Sequence, residues 1–387
     1  MSADSSTNAA VSRNPFRPTF GVPPLYWVGR AAILDSFHVA LEEGPGAFGR
    51  SMIISGTRGI GKTVLLTELE EQAAPLGWIT LRASGRGNLV DTLVETTVPR
   101  AIDTLEPKAT TRVDRVSIGG LGTVGVQHDT EPTFKPNLNT RLRELLALTR
   151  DSGVFLTIDE VQDASPEDLT ELAVTYQDLL RDELNIALVM AGLPQGVDAL
   201  LDMPGATFLR RAQRHILGPF SAANAAVAFN STAKDSGCEF ASDATDAAIA
   251  LSHGYPFLVQ LVGSLAWRTA VSRGSSRIEP RDIASIAPTV VSTMGVQVHA
   301  PALKELTPTL RSVLETMATI MAETGTDTCE IASIAQRMGR TTKSLSDARQ
   351  RLINADLIES AGFGTLRFTL PYLAEYLAAT DAHDRVD

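Results

Sequence analysis

The chain is 387 residues long, 44% hydrophobic and 20% charged, which describes a globular protein with room for two or three domains. A formal net charge of −11 excludes a protein that coats nucleic acid over its whole surface, but not one with a local basic face. With only Cys238 and Cys329 and six scattered histidines, neither a disulfide framework nor a cysteine or histidine metal site is expected.

The longest apolar stretches, such as Ile186 to Ala191, have strand length, so no membrane span is expected. Met1 to Thr7 lacks the basic and apolar segments of a secretory signal, and a cytoplasmic protein is predicted.

Residues 1–14 are small and polar and are expected to be disordered. A first domain is predicted over 15–220. Pro23-Pro24-Leu25-Tyr26-Trp27 leads into Val28-Gly29-Arg30 and then a helix from about Ala31 to Leu41. Ser51-Met52-Ile53-Ile54 reads as a strand. It runs into Gly56-Thr57-Arg58-Gly59-Ile60-Gly61-Lys62-Thr63, and Val64 opens an amphipathic helix. This strand–loop–helix order is the setting a phosphate-binding loop requires. Its glycines let the backbone wrap a phosphate chain and the helix start presents N–H groups to the anion. Lys62 is predicted to reach the β- and γ-phosphates, with Thr63 on Mg²⁺.

A second strand is expected at Gly77 to Arg82, a helical stretch at Asn88 to Leu105, a hairpin at 113–126 and a polar loop at 127–137. After a helix at Asn139 to Arg150, the apolar strand Val154 to Ile158 ends in Asp159-Glu160, at the strand end where open α/β sheets bind ligands. Asp159 is predicted to hold Mg²⁺ and Glu160 to polarise the attacking water. A helix at Pro166 to Asp182, a strand at Asn185 to Ala191 and a short strand from Arg214 complete a doubly wound parallel sheet.

Residues 221–295 read as wholly helical, a lid in which Gly254-Tyr255-Pro256 opens an apolar helix. A linker is expected at 296–308. In 309–387, helices at Arg311 to Glu323, Glu330 to Met338 and Thr342 to Asn354 have helix-turn-helix spacing, and Leu357 to Leu370 reads as strand, turn, strand, the pattern of a winged helix.

Together, Gly29-Arg30, the Gly56–Thr63 loop, Ile158-Asp159-Glu160 and a lid followed by a winged helix resemble the AAA+ ATPases, in the branch containing the origin-recognition proteins and related bacterial ATPases. The resemblance spans roughly residues 20 to 380. It implies ATP and Mg²⁺ as ligands, ATP hydrolysis, a homo-oligomer, and an adenine lying near Gly29 and Arg30. Two departures stand out. Ala191-Gly192 offers no polar group at the end of the fourth strand, and the lid helix at Gly254-Tyr255-Pro256 lacks an arginine. Both imply hydrolysis that is slow or that depends on a neighbouring subunit. Arg211, with Arg210 as substitute, is the expected arginine reaching into that neighbour's site.

Arg340, Lys343, Ser344 and Arg349 lie around the expected recognition helix and Arg367 on the wing, which marks double-stranded DNA as the expected partner. A signalling ATPase of the STAND type, or an accessory ATPase serving a helicase, transposase or nuclease, fits the same features.

Overall fold

The computed structural model describes residues 13–19, 23–107, 135–150, 152–203, 207–304 and 306–384. The expected hairpin at 113–126, most of the loop after it and residues 1–12 lie outside the described residues. Asn14, expected in the disordered segment, is bound: its Nδ2 donates to the carbonyl and the Oγ of Ser264, 3.0 Å from each.

The first domain alternates α1 (Ala31–Glu43), β1 (Ser51–Gly56), α2 (Lys62–Ala73), β2 (Ile79–Ser84) and the pair α3 (Leu89–Thr92) and α4 (Val98–Leu105), which are joined by a π turn. There follow α5 (Leu138–Leu146), β3 (Val154–Asp159), α6 (Pro166–Arg181), β4 (Ile186–Gly192), α7 (Pro194–Asp202) and β5 (Gln213–Leu217). The five strands are parallel, in the order β2-β3-β4-β1-β5. Every residue of β4 is buried, and in β3 all but Asp159, which explains their unbroken apolar runs. β5 is an edge strand and alternates instead, leaving Ile216 83% exposed.

Arg50 is buried at the start of β1. Its Nε and Nη2 donate to the carbonyls of Ala40 and Leu41 at 2.7 Å each, and its Nη1 bonds Asn185. Trp78 covers the guanidinium, its ring centroid 4.9 Å from Cζ. One side chain thus satisfies the orphan carbonyls at the end of α1 and ties that helix to the start of β4.

The lid comprises α8 (Ala222–Lys234), β6 (Glu239–Phe240), α9 (Ser242–Ser252), α10 (Pro256–Ser272), β7 (Arg277–Ile278) and α11 (Pro280–Met294). It is not wholly helical, because β6 and β7 pair in parallel. Phe16 is buried against α10; a Cβ added to Gly263 would meet its ring at 2.3 Å. The expected linker is helical: α11 passes through a π turn at Gly295–His299 into α12 (Ala300–Lys304). Burial explains the order, since His299 is fully enclosed and its ring lies 5.6 Å from that of Tyr376.

The C-terminal unit contains α13 (Pro308–Thr324), β8 (Cys329–Glu330), α14 (Ile331–Arg337), α15 (Ser346–Asn354), β9 (Ile358–Gly362), β10 (Thr365–Phe368) and α16 (Leu373–Asp384). β8, β10 and β9 form an antiparallel sheet in that order, making a winged helix. The expected recognition helix is split, Thr342–Leu345 forming a 3-10 turn before α15. No helix among the described residues is long and apolar enough to cross a membrane.

Candidate nucleotide site

β1 delivers the loop to the C-terminal edge of the sheet, and α2 begins at Lys62. Gly59 and Gly61 have φ of +75° and +96°, in the left-handed region that strains any other residue. The N-terminus of α2 has no side-chain cap, so its first N–H groups are not spent on the protein's own side chains. Lys62 is buried and its Nζ donates to the carbonyls of Gly56 and Thr57, at 2.8 and 3.1 Å. Burial lowers its pKa, partly offset by Glu160, Asp159 and Asp356.

Two strands away, β3 sets the acids. Thr63 Oγ1 donates to Asp159 Oδ2 at 2.5 Å, so the two expected Mg²⁺ ligands meet. The other carboxylate oxygen of Asp159 accepts the Glu160 N–H at 2.8 Å. Glu160 has a φ of +55°, uncommon for a residue with a side chain. Its carboxylate lies 4.0 Å from Arg86 Nη2 and accepts a hydrogen bond from Gln162 Nε2.

A cleft of about 360 Å³ opens beside the loop, between the core, the lid and the helix leading to the winged helix. Its apolar walls include Trp27, Val28, Phe220, Phe257 and Pro301. Arg30 lines it too, donating to the Gly218 carbonyl at 2.8 Å, with its Cζ 5.6 Å from the centroid of the Phe220 ring. Gly29 does not line the cleft; its φ of +71° makes the turn that brings Arg30 in. The remaining loop residues Arg58, Gly59, Ile60, Gly61, Thr63 and Val64 all border the cleft, as does Glu160.

Three contacts at the site were not anticipated. Tyr255, the residue before α10, bonds Thr57 through its hydroxyl at 3.1 Å, and its ring lies 3.0 Å from where a Cβ on Gly59 would stand. Asp356, which follows α15 in the winged helix, accepts the Arg58 N–H at 3.1 Å. Gln162 bridges Glu160 to the Leu193 N–H. Only Gln162 had a local signal, its position two residues beyond Glu160.

Arg211 is exposed, borders no part of the cleft and makes no ion pair among the described residues, whereas Arg210 bonds the Leu201 carbonyl and lies 3.6 Å from Asp202. The five expected DNA contacts differ among themselves. Arg340 and Lys343 are exposed and unpaired among the described residues. Ser344 is exposed but donates to the Thr341 carbonyl, closing the turn before α15. Arg349 is half-buried with an unpartnered Nε, and α15 packs against α7 of the core. Arg367 is paired with Glu359 at 2.5 Å. Ser344 and Arg367 thus have partners within the C-terminal unit itself, while Arg349 lies half-buried on the helix that packs against α7.

Residues 26–189 match the AAA ATPase domain, and residues 296–377 a domain of unknown function (DUF8462). No match was found among curated proteins. Of solved structures, the Walker-type ATPase PABY2304 of Pyrococcus abyssi is similar at 15% identity and a TM-score of 0.64, over 91% of this chain and 96% of that one. The Aeropyrum pernix ORC2 protein, solved with ADPNP and ADP, is similar at 15% identity and a TM-score of 0.59, over 96% and 98%. The strand order, the loop and the family match make residues 26–189 an AAA ATPase domain with a P-loop. Across the chain the fold is similar to that of the ORC2 protein.

Proposed function

We propose that this ATPase is a switch in which nucleotide at the Gly56–Thr63 loop sets whether the winged helix stays docked on the core. The observation that carries this reading is the Asp356 carboxylate on the Arg58 N–H, a direct bond from winged helix to phosphate loop. Lys62 and the N–H groups at the start of α2 would take the β- and γ-phosphates of ATP, and the apolar cleft by Trp27 and Phe220 the base. Thr63 and Asp159 are hard oxygen donors already in contact, which fits Mg²⁺, and they would hold it. When bound, the ion neutralises charge on the phosphoryl oxygens. Glu160 orients the attacking water, and Arg211 of a second copy is the candidate donor to the transferring phosphate.

In the docked state α15 lies against α7, so undocking is what frees it. Exposed Arg340 and Lys343 support double-stranded DNA as the partner of the freed helix. The docked winged helix equally supports a STAND-type output, in which the freed surface receives a protein instead. The test is duplex binding by fluorescence anisotropy, using Glu160→Gln with ATP, ADP or no nucleotide across a salt series. The switch with a DNA output requires ATP-enhanced, salt-sensitive binding that Arg340→Ala with Lys343→Ala weakens. Absence of DNA binding in every state, with ATP binding measured in parallel, transfers the output to a protein partner.

A further inference from the structure

The end of β4, Ala191-Gly192, carries no polar side chain, yet a polar side chain arrives there from the neighbouring strand. Gln162 sits in the 3-10 turn Val161–Asp163 that follows β3 and Glu160. Its Oε1 accepts the Leu193 N–H at 3.0 Å and its Nε2 donates to Glu160 Oε2. These two bonds admit a single orientation of the amide, because an N–H needs an acceptor and an ionised carboxylate needs a donor.

The slot is shaped for this side chain. A Cβ on Gly192 would come 2.9 Å from Gln162 Oε1, and one on Gly196 would come 2.1 Å from Gln162 Cβ. Neither position tolerates a larger residue without displacing the glutamine. Leu193 is the residue before α7, so the acceptor end of the amide is anchored to a packed helix. The donor end is what holds Glu160, whose backbone is in the left-handed region and whose carboxylate otherwise has Arg86 at 4.0 Å.

We infer that Gln162 is a positioning residue for ATP hydrolysis, clamping the Glu160 carboxylate to the frame of β4 and α7 so that it meets the attacking water in one pose. The inference rests on the role given to Glu160 above. Gln162 touches no substrate itself. A carboxylate free to rotate loses effective alignment with the water, and misplacement by a fraction of an ångström is costly to the rate but not to nucleotide affinity.

The test compares single-turnover hydrolysis, followed over hours, with ATP affinity and melting temperature. Gln162→Met keeps an unbranched side chain in the slot and removes both hydrogen bonds. Gln162→Glu keeps the acceptor for Leu193 and loses the donor. Both are expected to lower the hydrolysis rate about tenfold, equivalent to about 1.4 kcal/mol, with ATP affinity within about twofold of wild type. In a Glu160→Gln background the Gln162→Met change is expected to lose its effect. Wild-type hydrolysis in both Gln162 variants, or an undiminished loss in the Glu160→Gln background, overturns the proposal. A wild-type rate for Glu160→Gln alone overturns the role of Glu160 first and this proposal with it. That case is recognisable because the single variant leaves Gln162 untouched.

Discussion

The carboxylate of Asp356 accepts the backbone N–H of Arg58 at 3.1 Å, joining winged helix and phosphate loop across 298 residues of sequence. Asp356 is 2% exposed and has a φ of +59°, and its own carbonyl accepts a hydrogen bond from the Thr369 hydroxyl. Burial pushes its carboxyl up to about 6; Glu359 adds to the rise, while the Arg58 N–H, Lys62 and the Arg58 side chain oppose it. An anionic phosphate chain arriving at the loop brings more negative charge to the same place. Under the proposed switch, nucleotide and winged helix compete at the loop.

Docking should depend on pH through this group. Because the folded pKa is raised, the cost of burying the charge is fully present above about pH 6 and falls away as pH drops from there towards the ordinary aspartate value. The docked form should gain about 1.3 kcal/mol between pH 7 and pH 5. Asp356→Asn keeps an acceptor for Arg58, so it should dock more tightly at pH 7 and flatten the profile. Melting of the two proteins across this range checks it, and an unchanged pH slope in the variant would remove Asp356 as the cause.

Removal of metal should separate Thr63 from Lys62. Thr63→Ala is expected to bind ATP in EDTA as wild type does and to lose most of the gain given by Mg²⁺. Lys62→Ala should lose at least tenfold in affinity with or without the metal, since its ammonium is buried beside the loop carbonyls. Titration with a fluorescent ATP analogue reads both. Equal responses to Mg²⁺ in Thr63→Ala and wild type would take Thr63 off the metal.

Arg211→Ala should abolish any rise of specific ATPase activity with protein concentration while leaving ATP affinity intact. Arg210→Ala should leave that rise in place, because Arg210 is engaged with Leu201 and Asp202 of its own subunit. Identical behaviour of the two variants would discard the assignment to Arg211.

Arg50→Met tests the frame beneath the site. It strips the Ala40 and Leu41 carbonyls and Asn185 of their shared donor, and should destabilise the core by about 3 kcal/mol. Chemical denaturation measures this directly. A change below about 0.5 kcal/mol would mean that water replaces the guanidinium.

The core was legible because its chemistry is local. Gly56 to Thr63 must lie on one turn between strand and helix, and Asp159 and Glu160 must follow a buried strand, so short stretches of sequence reveal them. Tyr255 and Asp356 reach the site through tertiary packing, and Gln162, though only two residues from Glu160, is fixed there by its bond to Leu193. Asp356 in particular looks like an ordinary acid after a helix, and only the fold brings it 3.1 Å from Arg58. The helical path through Gly295 and His299 was hidden for a related reason, since its order comes from burial against α16 rather than from helix periodicity. The winged helix was legible as a pattern. Its docking on α7 was not.

The most direct test of the switch is energy transfer between a dye on the core at Val174→Cys and one on the wing at Phe363→Cys, in the Glu160→Gln protein. Both positions are exposed and both native cysteines are buried, so labelling is selective. Docking controlled by nucleotide predicts one transfer efficiency without nucleotide and with ADP, and a lower one with ATP and Mg²⁺. A single efficiency in all three conditions, with ATP binding measured on the same labelled protein, would contradict it.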